Sequence, residues 1–90
     1  MNNYLVTFNP EKDLNSEFAV TIRTTLENLS PDKWVQIFPF QIAIQSELTI
    51  TELKQELSKI EKSQRVSIVR FDAWSTNEER SSQFLSEYGY

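Results

Sequence analysis

The sequence predicts an α+β fold: two helices on one face of a four-stranded antiparallel sheet, followed by a short tail helix. Three observations predict it. Four short runs are rich in β-branched and aromatic residues. Two intervening segments repeat apolar residues at helical spacing. Proline, asparagine, aspartate and serine punctuate the boundaries.

Tyr4-Leu5-Val6-Thr7-Phe8 is the first strand, ended by Asn9-Pro10, because proline has no N–H for the ladder. Asp13, Asn15 or Ser16 can cap a helix that runs to about Leu29, with Phe18, Ile22, Leu26 and Leu29 along one buried stripe. Ser30-Pro31-Asp32-Lys33 suits a type I turn, with proline at its second position. Trp34 to Phe38 and Phe40 to Gln45 read as two strands, with Pro39 marking a tight turn or a break between them. In the latter, Phe40, Ile42 and Ile44 alternate with Gln41, Ala43 and Gln45, the pattern of a sheet with one covered face. Thr49-Ile50-Thr51-Glu52 is a capping box opening a helix to about Glu61, which buries Ile50, Leu53, Leu57 and Ile60. Arg65 to Phe71 is the fourth strand.

In the tail, Ser75/Glu78 and Thr76/Glu79 are overlapping capping-box candidates for a short helix to Ser86 or Glu87. That helix presents Phe84, Leu85 and Tyr88, and Gly89 fits its stop. The economical packing of these elements is the split-βαβ, ferredoxin-like βαββαβ sandwich. Residues 1–90 are expected to form a single such domain, with 72–90 as a tail used in dimer contacts.

Composition narrows the chemistry. The chain has 90 residues, no cysteine and no histidine. A chain of this size buries only about 60–65% of the surface its unfolded form exposes. Thiolate nucleophiles, cysteine-based zinc sites and Ser-His-Asp catalysis are excluded within the chain. Gly89 is the only glycine, so there is no glycine-rich phosphate loop or dinucleotide fingerprint. Nine basic and thirteen acidic residues give a net charge of −4, which disfavours a nucleic-acid partner because phosphate contacts need clustered cations. No apolar run approaches the ~18–20 residues of a membrane span, and Met1-Asn2-Asn3 lacks the features of a signal peptide. A cytoplasmic protein without membrane partners is expected.

The first strand Tyr4–Phe8, the aromatic strand from Trp34, Phe40-Gln41-Ile42-Ala43-Ile44, Thr49-Ile50-Thr51-Glu52-Leu53 and Val66-Ser67-Ile68-Val69 together cover roughly residues 4–74. Over this span the chain resembles the small CRISPR-associated nucleases of the spacer-acquisition machinery. Asp72-Ala73-Trp74 is similar to the tail start of their stand-alone SinR-like relatives. The resemblance implies a ferredoxin-like protomer that dimerises, with a tail that crosses onto or packs beside the partner. It also implies an aspartate after the aromatic residue ending the first strand, holding a divalent metal at the dimer interface. The residue after Phe8 is instead Asn9, a neutral amide without the carboxylate charge that Mg²⁺ favours. The small virulence-associated toxins of the same fold also place an acid there.

Asn9 reads as a weakened metal ligand or as a strand-ending residue before Pro10. Glu11 and Asp13 read as substitute ligands for Mg²⁺ or Mn²⁺ or as solvated loop charges. Asp72 is expected at the sheet end opposite Asn9. Arg65, Arg70 and Lys33 are phosphate-binding candidates or solvated strand-end charges. Trp34, Phe38, Phe40, Trp74, Phe84, Tyr88 and Tyr90 exceed what one small sheet face hides, which points to a self-association surface. The expected function is a non-catalytic homodimerising module that binds a protein or nucleic-acid partner and needs no cofactor. Its interface residues are Trp34, Phe38, Phe40, Trp74, Phe84 and Tyr88. The alternative is a metal-dependent RNA or DNA endonuclease using Asn9 with Glu11 or Asp13. An antitoxin-like or regulatory partner protein is a third reading.

Overall fold

Seven elements follow one another along the chain: β1 (Asn2–Asn9), α1 (Glu17–Leu29), β2 (Val35–Phe38), β3 (Gln41–Ser46), α2 (Ile50–Ser58), β4 (Arg65–Arg70) and α3 (Glu79–Glu87). The structure is a computed structural model, and it describes residues 1–9, 16–60 and 65–90. The sheet order is β2-β3-β1-β4, with every neighbouring pair antiparallel. This is the ferredoxin-like arrangement expected from the element order, with α3 added after β4.

The register explains the first core. Tyr4, Val6 and Phe8 of β1 lie opposite Ile44 and Ile42 of β3 on one side, and opposite Ile68 and Val66 of β4 on the other. Since side chains alternate along a strand, all of these share one face. Ala19, Ile22 and Leu26 of α1 and Leu53 and Leu57 of α2 cover that face. Phe8 meets Phe18 and Phe40 edge-on, with centroids 6.2 and 6.1 Å apart. Each such buried aliphatic or aromatic side chain contributes roughly 1.5–3 kcal/mol relative to exposure.

Local chemistry sets the helix ends. The Ser16 hydroxyl accepts the Ala19 N–H at 3.2 Å, making Ser16 the N-cap of α1. Asp13 and Asn15, the other expected caps, lie outside the described residues. Buried Ser30 ends α1 and accepts the Gln45 N–H on its hydroxyl at 3.1 Å, tying the helix to β3. Asp32, third in the following turn, has φ +66°. That is the left-handed value of a type II turn (about +80°) rather than type I (about −90°), correcting the expected turn type. Aspartate tolerates this conformation better than most residues. The predicted Thr49 capping box is formed: Thr49 Oγ1 accepts the Glu52 N–H at 3.1 Å, and Glu52 Oε1 accepts the Thr49 N–H at 2.9 Å.

Two further expectations are corrected. Ile50, the first residue of α2, is 44% exposed rather than buried. Ala43 is 0% exposed, although the alternation in β3 implies one covered face. The reason is α3, which packs Leu85 against Val35 and Ala43 on the sheet face away from α1 and α2. Leu5, Ile37, Trp74, Phe84, Tyr88 and Tyr90 complete this second core. The β2–β3 half of the sheet is therefore covered on both faces.

The cap of α3 also differs from expectation. Glu78, rather than Ser75 or Thr76, is the N-cap, and its carboxylate accepts the Ser81 N–H. The Thr76 hydroxyl instead accepts the Glu78 N–H at 3.1 Å, two residues earlier in the chain. At the other end Gly89, with φ +77°, donates to Ser86 O at 3.2 Å while Tyr90 N donates to Leu85 O at 3.0 Å. This paired closure is the Schellman motif, for which a left-handed glycine is suited. Among the described residues no helix is long and apolar enough to cross a membrane.

Candidate functional site

Asn9 ends β1, exposed, on the face opposite the α1–α2 layer because its neighbour Phe8 points into that core. Its partner across the ladder is Arg65 of β4, also exposed. Side chains of directly opposed residues stand about 4.5–5.5 Å apart at Cβ. A cationic residue is thus the ladder neighbour of Asn9. Glu11 and Asp13, the other alternative ligands, lie outside the described residues. Among the described residues no three acidic side chains are grouped to hold a metal ion.

The remaining charged candidates are dispersed. Phe71 N donates to Asn3 O at 3.0 Å, which sets Asp72 beside the start of β1, at the sheet end opposite Asn9 as expected. Arg65 and Arg70 occupy opposite ends of β4. Lys33 precedes β2, on the other edge of the sheet, with its ammonium 5.3 Å from the Tyr88 ring centroid. The structure does not bring these three cations together.

The aromatic side chains divide into three groups. Phe40 and Trp34 pack against the first core. Trp74, Phe84, Tyr88 and Tyr90 pack into the second, against the sheet of their own protomer. Phe38 remains 52% exposed. The tail therefore hides most of its rings intramolecularly, a solution the ring count alone does not reveal.

A groove of about 600 Å³ runs along the outer edge of β2. Trp34, Phe38 and Pro39 line it from β2 and its flanks, and Ser81, Phe84 and Tyr88 line it from α3. Helix and strand are opposed in direction: Ser81 Oγ donates to Gln36 O at 3.3 Å, whereas Tyr88, further along α3, lies beside Lys33, ahead of β2. Glu78 and Arg80 accordingly fall at the Phe38 end of the groove and Asp32 at the Tyr88 end. Trp34, Phe38, Phe84 and Tyr88, which the sequence places among the interface rings, all line this groove, although Trp34 also packs against the first core and Phe84 and Tyr88 against the second. Phe40 and Trp74 are turned to the two cores.

Hydrogen bonding shapes the groove's electrostatics. The Ser81 side chain and then its backbone N–H, with the Arg80 charge nearby, hold the Glu78 carboxyl below the usual carboxylate range. Glu78 is anionic at neutral pH, with Arg80 nearby. Burial pushes the Tyr90 hydroxyl well above the ordinary tyrosine range. The Trp34 indole N–H has no hydrogen-bond partner among the described residues. The sequence signal for the groove was available in part: Val35 and Ile37 are apolar on the face that the neighbouring pattern leaves open, implying a second cover.

No protein-family model matches the chain, and no curated protein is significantly similar to it. Fold and groove define a ferredoxin-like protein whose added helix builds an aromatic cleft against an edge strand.

Proposed function

We propose that this chain is a non-catalytic, homodimerising ferredoxin-like binding module that uses the β2–α3 groove as its contact surface. One observation carries the reading: Trp34, Phe38, Phe84 and Tyr88 converge on a single groove, with Phe38 largely exposed. Aromatic residues are enriched in the buried centres of protein interfaces, where they supply large contact area with few rotatable bonds. The net charge of −4 favours a protein over a nucleic-acid partner.

The non-catalytic part is supported by the end of β1. Asn9 supplies no negative charge, and its ladder partner is the cationic Arg65 rather than an acid. Kinship with the spacer-acquisition nucleases and a cytoplasmic setting belong to the same proposal, and the ferredoxin-like topology supports that kinship at the level of fold.

Sedimentation velocity over the micromolar range tests the binding part. A concentration-dependent monomer–dimer equilibrium is expected, and a monomer throughout overturns it. Incubation with labelled RNA and DNA in Mg²⁺ or Mn²⁺ tests the other part. No cleavage is expected; cleavage abolished by Asn9→Ala overturns it.

A further inference from the structure

We infer that β4, an open edge of the sheet, takes an acidic segment of another protein as a fifth, antiparallel strand. This surface is separate from the β2–α3 groove and does not depend on it.

The ladder fixes which backbone groups of β4 are unused. Continuing its register with β1 one step past Tyr4 and Arg70 sets Asn3 opposite Phe71, and the Phe71 N–H donates to Asn3 O. Antiparallel strands alternate between pairs that exchange hydrogen bonds and pairs that do not. Arg65, Ser67 and Val69 therefore turn their N–H and C=O towards β1, while Val66, Ile68 and Arg70 turn theirs outwards. The Phe8 N–H, which donates to Phe40 O on the other side of β1, gives the same phase. Among the described residues nothing hydrogen-bonds the outward groups.

The two edges of the sheet are protected differently. β2 has a register shift between Gln36 and Phe38 and is followed by Pro39. It is also met by α3, where the Ser81 hydroxyl donates to Gln36 O. Such features keep other chains from adding to an edge. β4 pairs with β1 without a register shift, contains no proline and leaves Val69 50% exposed. It carries only Arg65 and Arg70, one at each end, both exposed and neither in an ion pair among the described residues.

Those arginines select the occupant. An antiparallel second copy would bring the arginine end of each strand to the arginine end of the other, with no acid in either strand. Like charges paired across strands destabilise a sheet and opposite charges stabilise it. The complementary strand is acidic at both ends. Read along an antiparallel partner, the residue opposite Arg70 comes first and the one opposite Arg65 sixth, with Val69, Ile68, Ser67 and Val66 faced in between. The ligand pattern is therefore acid, apolar, apolar, polar, apolar, acid. Main-chain hydrogen bonds supply the affinity of such an added strand, and the side chains supply its specificity.

The end-capped peptide Glu-Val-Ile-Thr-Val-Glu, titrated into the ¹⁵N-labelled full chain, tests this. Shifts are expected in β4, and the amides of Val66, Ile68 and Arg70, exchanging fast without peptide, should become protected. N-methylation of the peptide's isoleucine, whose N–H would meet Ile68 O, should abolish binding. N-methylation of its threonine, whose N–H points away from β4, should leave binding unchanged. The double variant Arg65→Glu, Arg70→Glu is expected to bind about tenfold more weakly, and a peptide with lysine at both ends should restore its binding. Absence of binding at millimolar peptide overturns the inference, as do shifts confined to residues outside β4 or equal effects of the two N-methyl groups. A uridine oligonucleotide that shifts the β4 amides where the peptide does not would assign the arginines to phosphate and also overturn it. The N-methyl comparison uses the native chain, so it decides the matter even if the double variant fails to fold.

Discussion

The indole Nε1–H of Trp74 donates to the carbonyl oxygen of Tyr90 at 3.1 Å. Around this bond Tyr90 gathers four parts of the chain. Its ring stacks on Phe71 at 6.1 Å, its hydroxyl donates to Lys33 O at 2.6 Å, and its backbone N–H donates to Leu85 O at 3.0 Å. The end of β4, the linker, α3 and the turn before β2 are joined through one residue. That turn and α3 form one end of the groove, and Tyr90 ties them together there.

Replacing Tyr90 by phenylalanine removes the hydrogen bond to Lys33 and keeps the ring. A loss of about 1 kcal/mol is expected in thermal or urea unfolding. Since the folded-state pKa is raised, the tyrosine's contribution is complete below about pH 10, its unfolded value, and is lost as pH rises towards the folded one. Near-ultraviolet circular dichroism should show alkaline loosening in the native chain that is absent in Tyr90→Phe.

Leu85 is the fully buried centre of the second core. Leu85→Ala is expected to cost about 3 kcal/mol, falling on α3 rather than on the α1–α2 core. Hydrogen exchange should then accelerate in 79–88 and remain slow in β1 and β3. Equal acceleration in both regions would mean that the two cores form one cooperative unit.

A methyl group at Gly89 meets no atom within 4 Å, so Gly89→Ala creates no clash. The left-handed backbone at φ +77° alone should make it destabilising by about 1–2 kcal/mol. Unfolding of Gly89→Ala beside Gly89→Asn separates strain from packing, because asparagine accepts the conformation better and should cost less.

Glu52 and Glu78 both cap helices, and both carboxyls are held below the usual range, Glu52 by the backbone and then the side chain of Thr49. Their folded pKa values are depressed, so their stabilisation is present above about pH 4.3, the unfolded value. It is lost as pH falls through the folded value. Acid titration followed by far-ultraviolet circular dichroism should show helix loss beginning below about pH 4. Glu52→Gln and Glu78→Gln variants should flatten it.

Much of the fold was legible because its signals are local. The Thr49–Glu52 box, the Ser16 cap, the stripe of Ile22 and Leu26 and the glycine stop at Gly89 each depend on residues a turn apart. The second core was not legible, because it depends on where α3 lands. Alternation in β3 reads Ala43 as a small residue on an open face, and nothing nearby says that Leu85 covers it. Val35, Ile37 and Leu5 carried the only hint, being apolar where a solvated face calls for polar residues. The cap at Glu78 was missed for a related reason: Ser75 and Thr76 fit the capping pattern, but the helix starts where Ser81 reaches Gln36. Of the candidate site residues, the sequence supplied the rings and the structure sorted them. Trp34, Phe38, Phe84 and Tyr88 line the groove, all but Phe38 while also packing against a core, and Phe40 and Trp74 pack against the cores without lining it.

The chain has two tryptophans, and they stand in opposite situations. Trp34 lines the groove with an indole N–H that has no partner among the described residues, whereas the Trp74 N–H is engaged by Tyr90 inside the second core. Their two indole resonances in a ¹H–¹⁵N spectrum, followed as protein concentration rises, report directly on the groove. If the groove is where copies meet, the Trp34 signal shifts or broadens with concentration while the Trp74 signal holds still. Two indole signals that stay fixed over the whole range, or movement of Trp74 alone, would contradict it.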